Sequence, residues 1–165
     1  MGGKRRIMLN ILVLCTGNSA RSILGEALLA TLGEGRVSAH SAGSQPKGHP
    51  HPEALARLRA EGIATDGFHS KSWDEFSGDD APALDIVITV CDSAAGETCP
   101  YWAGAPVTVH WGLPDPAGAA DEPRAFAETF AALKARVAAM LDLPLEDMTP
   151  AERKTALARI HSETT

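Results

Sequence analysis

No stretch of this chain approaches the length of apolar sequence that a helix needs to cross a bilayer. Positive charge is scarce as well: 15 Lys and Arg stand against 21 Asp and Glu, a net charge of -6. A general nucleic-acid binder is disfavoured, because no broad cationic face is available to neutralise phosphates. A small local anion site is not excluded. Internal repeats are absent, and no linker divides the chain. Cysteine is limited to three residues, an odd number that rules out a closed set of permanent disulfides within one chain. In a reducing compartment such cysteines are inert core residues, metal ligands or redox-active groups.

What is present reads as an ordinary globular chain, with 44% hydrophobic and 22% charged residues over 165 positions. One domain over residues 1–165 is expected, with a core at about 7–142 and a helical extension at 143–165. Lys4, Arg5 and Arg6 precede an apolar run ending at Cys15, which mimics a lipoprotein signal. Asn10 interrupts that run, and Leu14 stands where a cleavage site requires a small side chain. A buried first strand and a cytosolic chain are therefore the expectation.

Strand-like and helix-like segments alternate. Strands are expected at Ile7 to Leu14, Arg36 to Ser41, Asp85 to Val90 and Pro106 to His110. Helices are expected at Ser19 to Leu32, closed by Gly33, and at Pro52 to Glu61 with Leu55 and Leu58 inward. A short turn around Ser72 to Phe76 and a long helix from Glu122 to Leu141 follow. Thr149-Pro150-Ala151-Glu152 has the capping-box pattern and opens a final helix to about His161. This alternation predicts an α/β fold, a four-stranded parallel sheet flanked by helices with an extra C-terminal helix. Ligands of such sheets bind beyond the carboxyl ends of the strands. Cys15, Cys91 and Asp115 all fall on that edge.

Between the first strand and first helix lies Cys15-Thr16-Gly17-Asn18-Ser19-Ala20-Arg21-Ser22. A tight loop entering a helix turns its backbone N–H groups inward and cradles a tetrahedral oxyanion. Thr16 to Arg21 would supply that cradle, and the planar fork of Arg21 can hold two oxygens. The same positive environment favours the Cys15 thiolate, the form that attacks. Ser22, and also Ser19, can donate a hydrogen bond to its sulfur. A nucleotide-binding P-loop is excluded, because no Gly-Lys-Ser/Thr follows at the required spacing.

The loop resembles that of low-molecular-weight tyrosine phosphatases and of the arsenate reductases that share their fold. Val90-Cys91-Asp92-Ser93-Ala94-Ala95-Gly96-Glu97-Thr98-Cys99-Pro100 resembles the redox segment of those reductases, as does His110-Trp111-Gly112-Leu113-Pro114-Asp115-Pro116-Ala117-Gly118 the acid-bearing loop. The similarity runs from about Ile11 to Leu141. It implies a thioredoxin-coupled enzyme of the three-cysteine type, in which Cys91 attacks Cys15 in its arsenic adduct and Cys99 then attacks Cys91. Asp115 would be the general acid, although an Asp before Pro116 also serves simply to form a turn. Thioredoxin is the expected reductant, with glutaredoxin or a small thiol as the lesser alternative. Arsenate is the expected substrate, and phosphate and sulfate its competitors. No cofactor and no metal are expected at the site.

Other readings stay open at this point. A low-molecular-weight phosphatase needs only one cysteine, which would leave Cys91 as core and Cys99 as incidental. A zinc site completed by His110 lacks the usual short CxxC pair. A non-catalytic oxyanion or redox sensor is a third reading. Ala117 and Gly118 follow the Asp-Pro pair where phosphatases of this fold carry aromatic residues, which favours a small inorganic oxyanion. Trp111 and Tyr101 are equally well core or loop anchors. Some relatives bind potassium near the loop, at positions matching Asn18, Glu26 and Ser41; here Lys71 would substitute for the ion, unless it is a solvated surface lysine. His40, His49, His51, His69 and His161 show no consistent metal spacing.

Overall fold

The computed structural model describes residues 8–77, 80–91, 102, 104 and 106–163. Cys99, Tyr101 and the rest of 92–101 lie outside the described residues.

β1 is Leu9–Cys15, and all but Asn10 of its residues are buried. A strand so apolar needs cover on both faces and neighbours on both edges. It pairs in parallel with β2, Val37–Gly43, from Leu9 opposite Val37 to Cys15 opposite Gly43. On its other side lies β3, Ile86–Thr89, followed by β4, Val107–His110, both parallel. The sheet order is β2-β1-β3-β4.

Successive strand residues face opposite sides, and two cores result. Leu9, Ile11, Val13 and Cys15 belong to the larger one. All four α-helices among the described residues supply it: α1 (Arg21–Leu32), α2 (Pro52–Ala60), α3 (Glu122–Leu141) and α4 (Pro150–Glu163). Leu12 and Leu14 face the smaller core with Phe76, Leu84, Val87 and Trp102. A 3-10 turn at Trp73–Phe76, capped by the Ser72 hydroxyl, covers that face.

Several boundaries differ from the sequence expectation for physical reasons. α1 starts at Arg21 instead of Ser19, because the preceding residues wrap into the anion loop. On α2 the inward residues are Ala54 and Leu58, with Leu55 only half-buried. β3 excludes Asp85, whose carboxylate accepts the Asn10 N–H at 2.8 Å. β2 runs on to Gly43.

The C-terminal segment is held by specific bonds. Thr149 and Glu152 form the reciprocal capping box: the Glu152 carboxylate accepts from Thr149 N at 2.8 Å, and Thr149 Oγ1 from Glu152 N at 3.2 Å. Trp111 Nε1 donates to the Leu157 carbonyl at 2.9 Å, so α4 is tied to the chain just beyond β4. Arg36 reaches across from before β2, donating to the Leu141 and Leu143 carbonyls and forking onto Glu146. None of the helices among the described residues is long and apolar enough to cross a membrane.

Leu157 is fully buried in the larger core. Leu157→Ala is expected to cost about 2–5 kcal/mol, read by urea unfolding. A loss below roughly 1 kcal/mol would mean that α4 is not an integral part of that core.

Candidate active site

β1 ends at Cys15 and α1 begins at Arg21, so five residues must turn the chain from sheet into helix. Their carbonyls are engaged from outside the turn. Thr16 O accepts from Gln45 N at 2.9 Å, Gly17 O from Lys47 N at 3.0 Å, and Ser19 O from His51 N at 2.8 Å. Ser70 Oγ also donates to Gly17 O. In a trans peptide the N–H points opposite to the C=O. Fixing these carbonyls outward therefore aims the N–H groups of Gly17, Asn18 and Ala20 to the other side. The start of α1 carries no side-chain cap, so its first-turn N–H groups add to the same positive end. Gly43 permits this packing, because a Cβ there would press into the Thr16 carbonyl.

Asn18 takes a positive φ of 45°, a conformation that costs a non-glycine residue about 1–2 kcal/mol. Its side chain offsets the strain. Oδ1 accepts from Lys71 N at 2.8 Å, and since that amide can only donate, the orientation of the carboxamide is fixed. Nδ2 then donates to Ser22 Oγ at 2.8 Å and to Ser41 Oγ at 3.0 Å. With its lone pair so engaged, the Ser22 hydroxyl is left to donate to Cys15 Sγ, 2.9 Å away. Ser22 thus stands where the sequence reading put it. Ser19 does not share that role; its carbonyl anchors the loop.

The second thiol is adjacent. Cys91, just past β3, accepts from Thr16 N at 3.3 Å, with Thr16 Oγ1 at 3.5 Å. Cys15 and Cys91 are both buried thiols, 4% and 3% exposed. Arg21 donates Nη1 to the Leu113 carbonyl at 2.8 Å and brings Nη2 to 3.7 Å from Asp115 Oδ2. Its Nε–H is buried and finds no acceptor among the described residues. Asp115 is 53% exposed, and its Oδ1 accepts from Ala117 N at 3.0 Å. The carboxylate therefore forms the turn and also borders the cavity.

That cavity, of about 450 Å³, is lined by Cys15, Thr16, Gly17, Ser19, Ala20, Arg21, Cys91, Asp115 and Ala117 together with Gln45 and Lys47. The sequence reading brought the first eight to one place; Asn18 and Ser22 lie buried behind them. Cys99 lies outside the described residues. No aromatic side chain is among the described lining residues, and Trp111 is a core anchor. Gln45 and Lys47 were not foreseen. The Lys47 chain lies over Gly17, close enough that a Cβ on Gly17 would come within 3.1 Å of its Cε. Among the described residues no three His, Cys, Asp or Glu cluster as a metal site.

Behind the loop, Lys71 Nζ donates to the Ser41 and His69 carbonyls, each at 3.0 Å, and lies 3.9 Å from Glu26 Oε1. Ser41 Oγ donates to the same carboxylate oxygen. Burial pushes the Glu26 carboxyl above its ordinary value, opposed by the Ser41 hydrogen bond and then by Lys71 and His69. Of the three residues named above for a potassium site, Ser41 offers its carbonyl to the Lys71 ammonium and Glu26 faces it, while Asn18 Oδ1 accepts from the Lys71 backbone N–H.

A Cys-initiated anion loop, a parallel sheet in this order and an acid-bearing loop after β4 define a class. The family model for low molecular weight phosphotyrosine protein phosphatase matches residues 10–153, and the chain belongs to that family. Within it, the chain is similar to "Arsenate reductase 1" of Staphylococcus epidermidis, 36% identical over 73% of this chain and 94% of the relative. It is also similar to a "Glutaredoxin arsenate reductase" of Synechocystis, 32% identical over 67% of this chain and 81% of the relative. Among solved structures, an arsenate reductase in the phosphate binding state superposes with a TM-score of 0.69 at 29% identity, covering 82% of this chain and 98% of the other. A thioredoxin-dependent arsenate reductase of Corynebacterium glutamicum gives 0.58 at 27% identity, covering 77% and 59%.

An ammonium at the rim adds attraction for a bound anion of roughly 1 kcal/mol when solvent-screened at ~4 Å. Lys47→Ala is therefore expected to weaken inorganic phosphate binding about fivefold at low salt, read as protection of Cys15 from alkylation. Equal protection in both proteins would remove Lys47 from the site.

Proposed function

We propose that this chain reduces arsenate to arsenite through a relay of three thiols. One observation carries the reading: two buried thiols, Cys15 and Cys91, border a single cavity beside the anion loop and are linked through Thr16. A phosphatase requires only the first of them.

Arsenate enters against the N–H groups of the loop, with Arg21 and its remaining Nε–H donor holding oxygens. The Cys15 thiolate, steadied by Ser22, attacks arsenic. An S–As bond forms, and a hydroxyl of arsenate departs as water after taking a proton from the Asp115 carboxyl. The Cys91 thiolate then attacks the Cys15 sulfur. A Cys15–Cys91 disulfide forms, the S–As electron pair stays on arsenic, and arsenite leaves as As(III). Cys99 attacks Cys91 next, freeing Cys15 as thiolate and leaving a Cys91–Cys99 disulfide. A dithiol reductant returns that pair to thiols and is itself oxidised.

Thioredoxin is the reductant favoured here, since an internal disulfide is the form a dithiol protein exchanges with, and the C. glutamicum neighbour is named thioredoxin-dependent. The Synechocystis relative's name supports glutaredoxin as the alternative. Phosphate and sulfate would compete for the loop. A cytosolic setting suits the relay, because its thiols must be returned to the reduced state. The family membership supports a phosphatase as the second reading, and the absence of an aromatic wall among the described lining residues weighs against it. Lys71 takes the place of a potassium ion behind the loop.

NADPH consumption with arsenate, thioredoxin and thioredoxin reductase tests the relay. Steady turnover is expected for the intact protein and none for Cys99→Ser. Hydrolysis of an aryl phosphate that survives Cys99→Ser, without arsenate turnover, would identify a phosphatase; tight arsenate binding without turnover would identify a sensor. Exchanging potassium for sodium is expected to leave the rate unchanged. Potassium activation that survives Lys71→Ala would refute the substitution by lysine.

A further inference from the structure

The loop that carries Asp115 must stay in register with the anion loop, or the acid and the leaving oxygen do not meet. Its first half is held from two sides. The buried Arg136 of α3 donates to the Trp111 carbonyl at 3.0 Å, and Arg21 holds the Leu113 carbonyl. The second half has a different anchor. Gly118, at φ 81°, donates its N–H to Glu122 Oε2 at 2.7 Å. The same oxygen lies 3.5 Å from His51 Nε2.

His51 belongs to the other loop. Its backbone N–H holds the Ser19 carbonyl, and its ring packs on Phe126 with centroids 4.8 Å apart. Nδ1 accepts from Glu53 N at 3.0 Å, as the N-cap of α2. A ring nitrogen that accepts from an amide carries no proton, so the proton of the neutral ring sits on Nε2 and points to Glu122. The N-cap thus selects the tautomer that joins the two loops.

We propose that His51 and Glu122 are positioning residues that lock the acid-bearing loop to the anion loop. The links run from Ser19 through His51 and Glu122 to Gly118, three residues past Asp115. Neither residue borders the cavity. This inference rests on the proposed arsenate chemistry and concerns the placement of its proton donor.

The test is single-turnover arsenite formation by the fully reduced protein in excess over arsenate, which removes the external reductant. His51→Asn keeps a side-chain acceptor for the α2 cap but not the reach to Glu122. Glu122→Ala removes the Gly118 anchor, while Glu122→Gln keeps an acceptor oxygen. His51→Asn and Glu122→Ala are each expected to lower the maximal rate about tenfold with half-saturation changed less than about twofold. Glu122→Gln should recover most of that rate, and the double variant should be no slower than either single one. Maximal rates equal to the intact protein's, a rise in half-saturation alone, or losses that Glu122→Gln does not recover would each overturn the inference. If the intact protein forms no arsenite, the proposed function fails and the inference with it. If the intact protein forms arsenite and the variants form it equally fast, the inference alone is overturned.

Discussion

Three carbonyl oxygens, those of Thr16, Gly17 and Ser19, accept hydrogen bonds from Gln45, Lys47 and His51 outside the turn. Without those bonds the residues after β1 would be free to rotate their peptide planes, and no set of N–H groups would converge. The donors all come from the segment between β2 and α2, so the anion loop is shaped by a neighbour and not by its own residues alone. Asn18 completes the arrangement with its side chain, and the proton directions it enforces end on the Cys15 sulfur. In the proposed reaction, nucleophile activation and anion binding would thus share one framework.

Two thiols on a single cavity and one carboxylate at its rim divide the chemistry. The carboxylate is exposed and already salt-bridged towards Arg21, while the thiols are buried. Cys91 lies against the Thr16 amide, the first of the loop that follows Cys15.

Much of this was legible in sequence because it is local. The helix expected from Glu122 to Leu141 is α3 at its observed bounds, and Thr149 with Glu152 announced the capping box of α4. The convergence of Cys15, Cys91 and Asp115 followed from parallel topology alone. Local pattern failed where contacts between distant segments decide. Ala54, and not the half-buried Leu55, lies with Leu58 on the inner face of α2. Gln45 and Lys47 hold the loop carbonyls through backbone N–H groups, which carry no residue signature. His51 looked like one of several scattered histidines, and only the fold brings it beside Glu122, 71 positions away.

Lys71 carries a wider consequence. A dissociable ion occupies a site for a fraction of the time fixed by its concentration outside, whereas a side-chain ammonium accompanies every folded copy. Its supply is genetic, specified by one codon, and its position is set when the chain folds. If Lys71 stands in for an ion, the charge behind the loop does not depend on which cation the medium supplies, and acetylation of that amine would remove it.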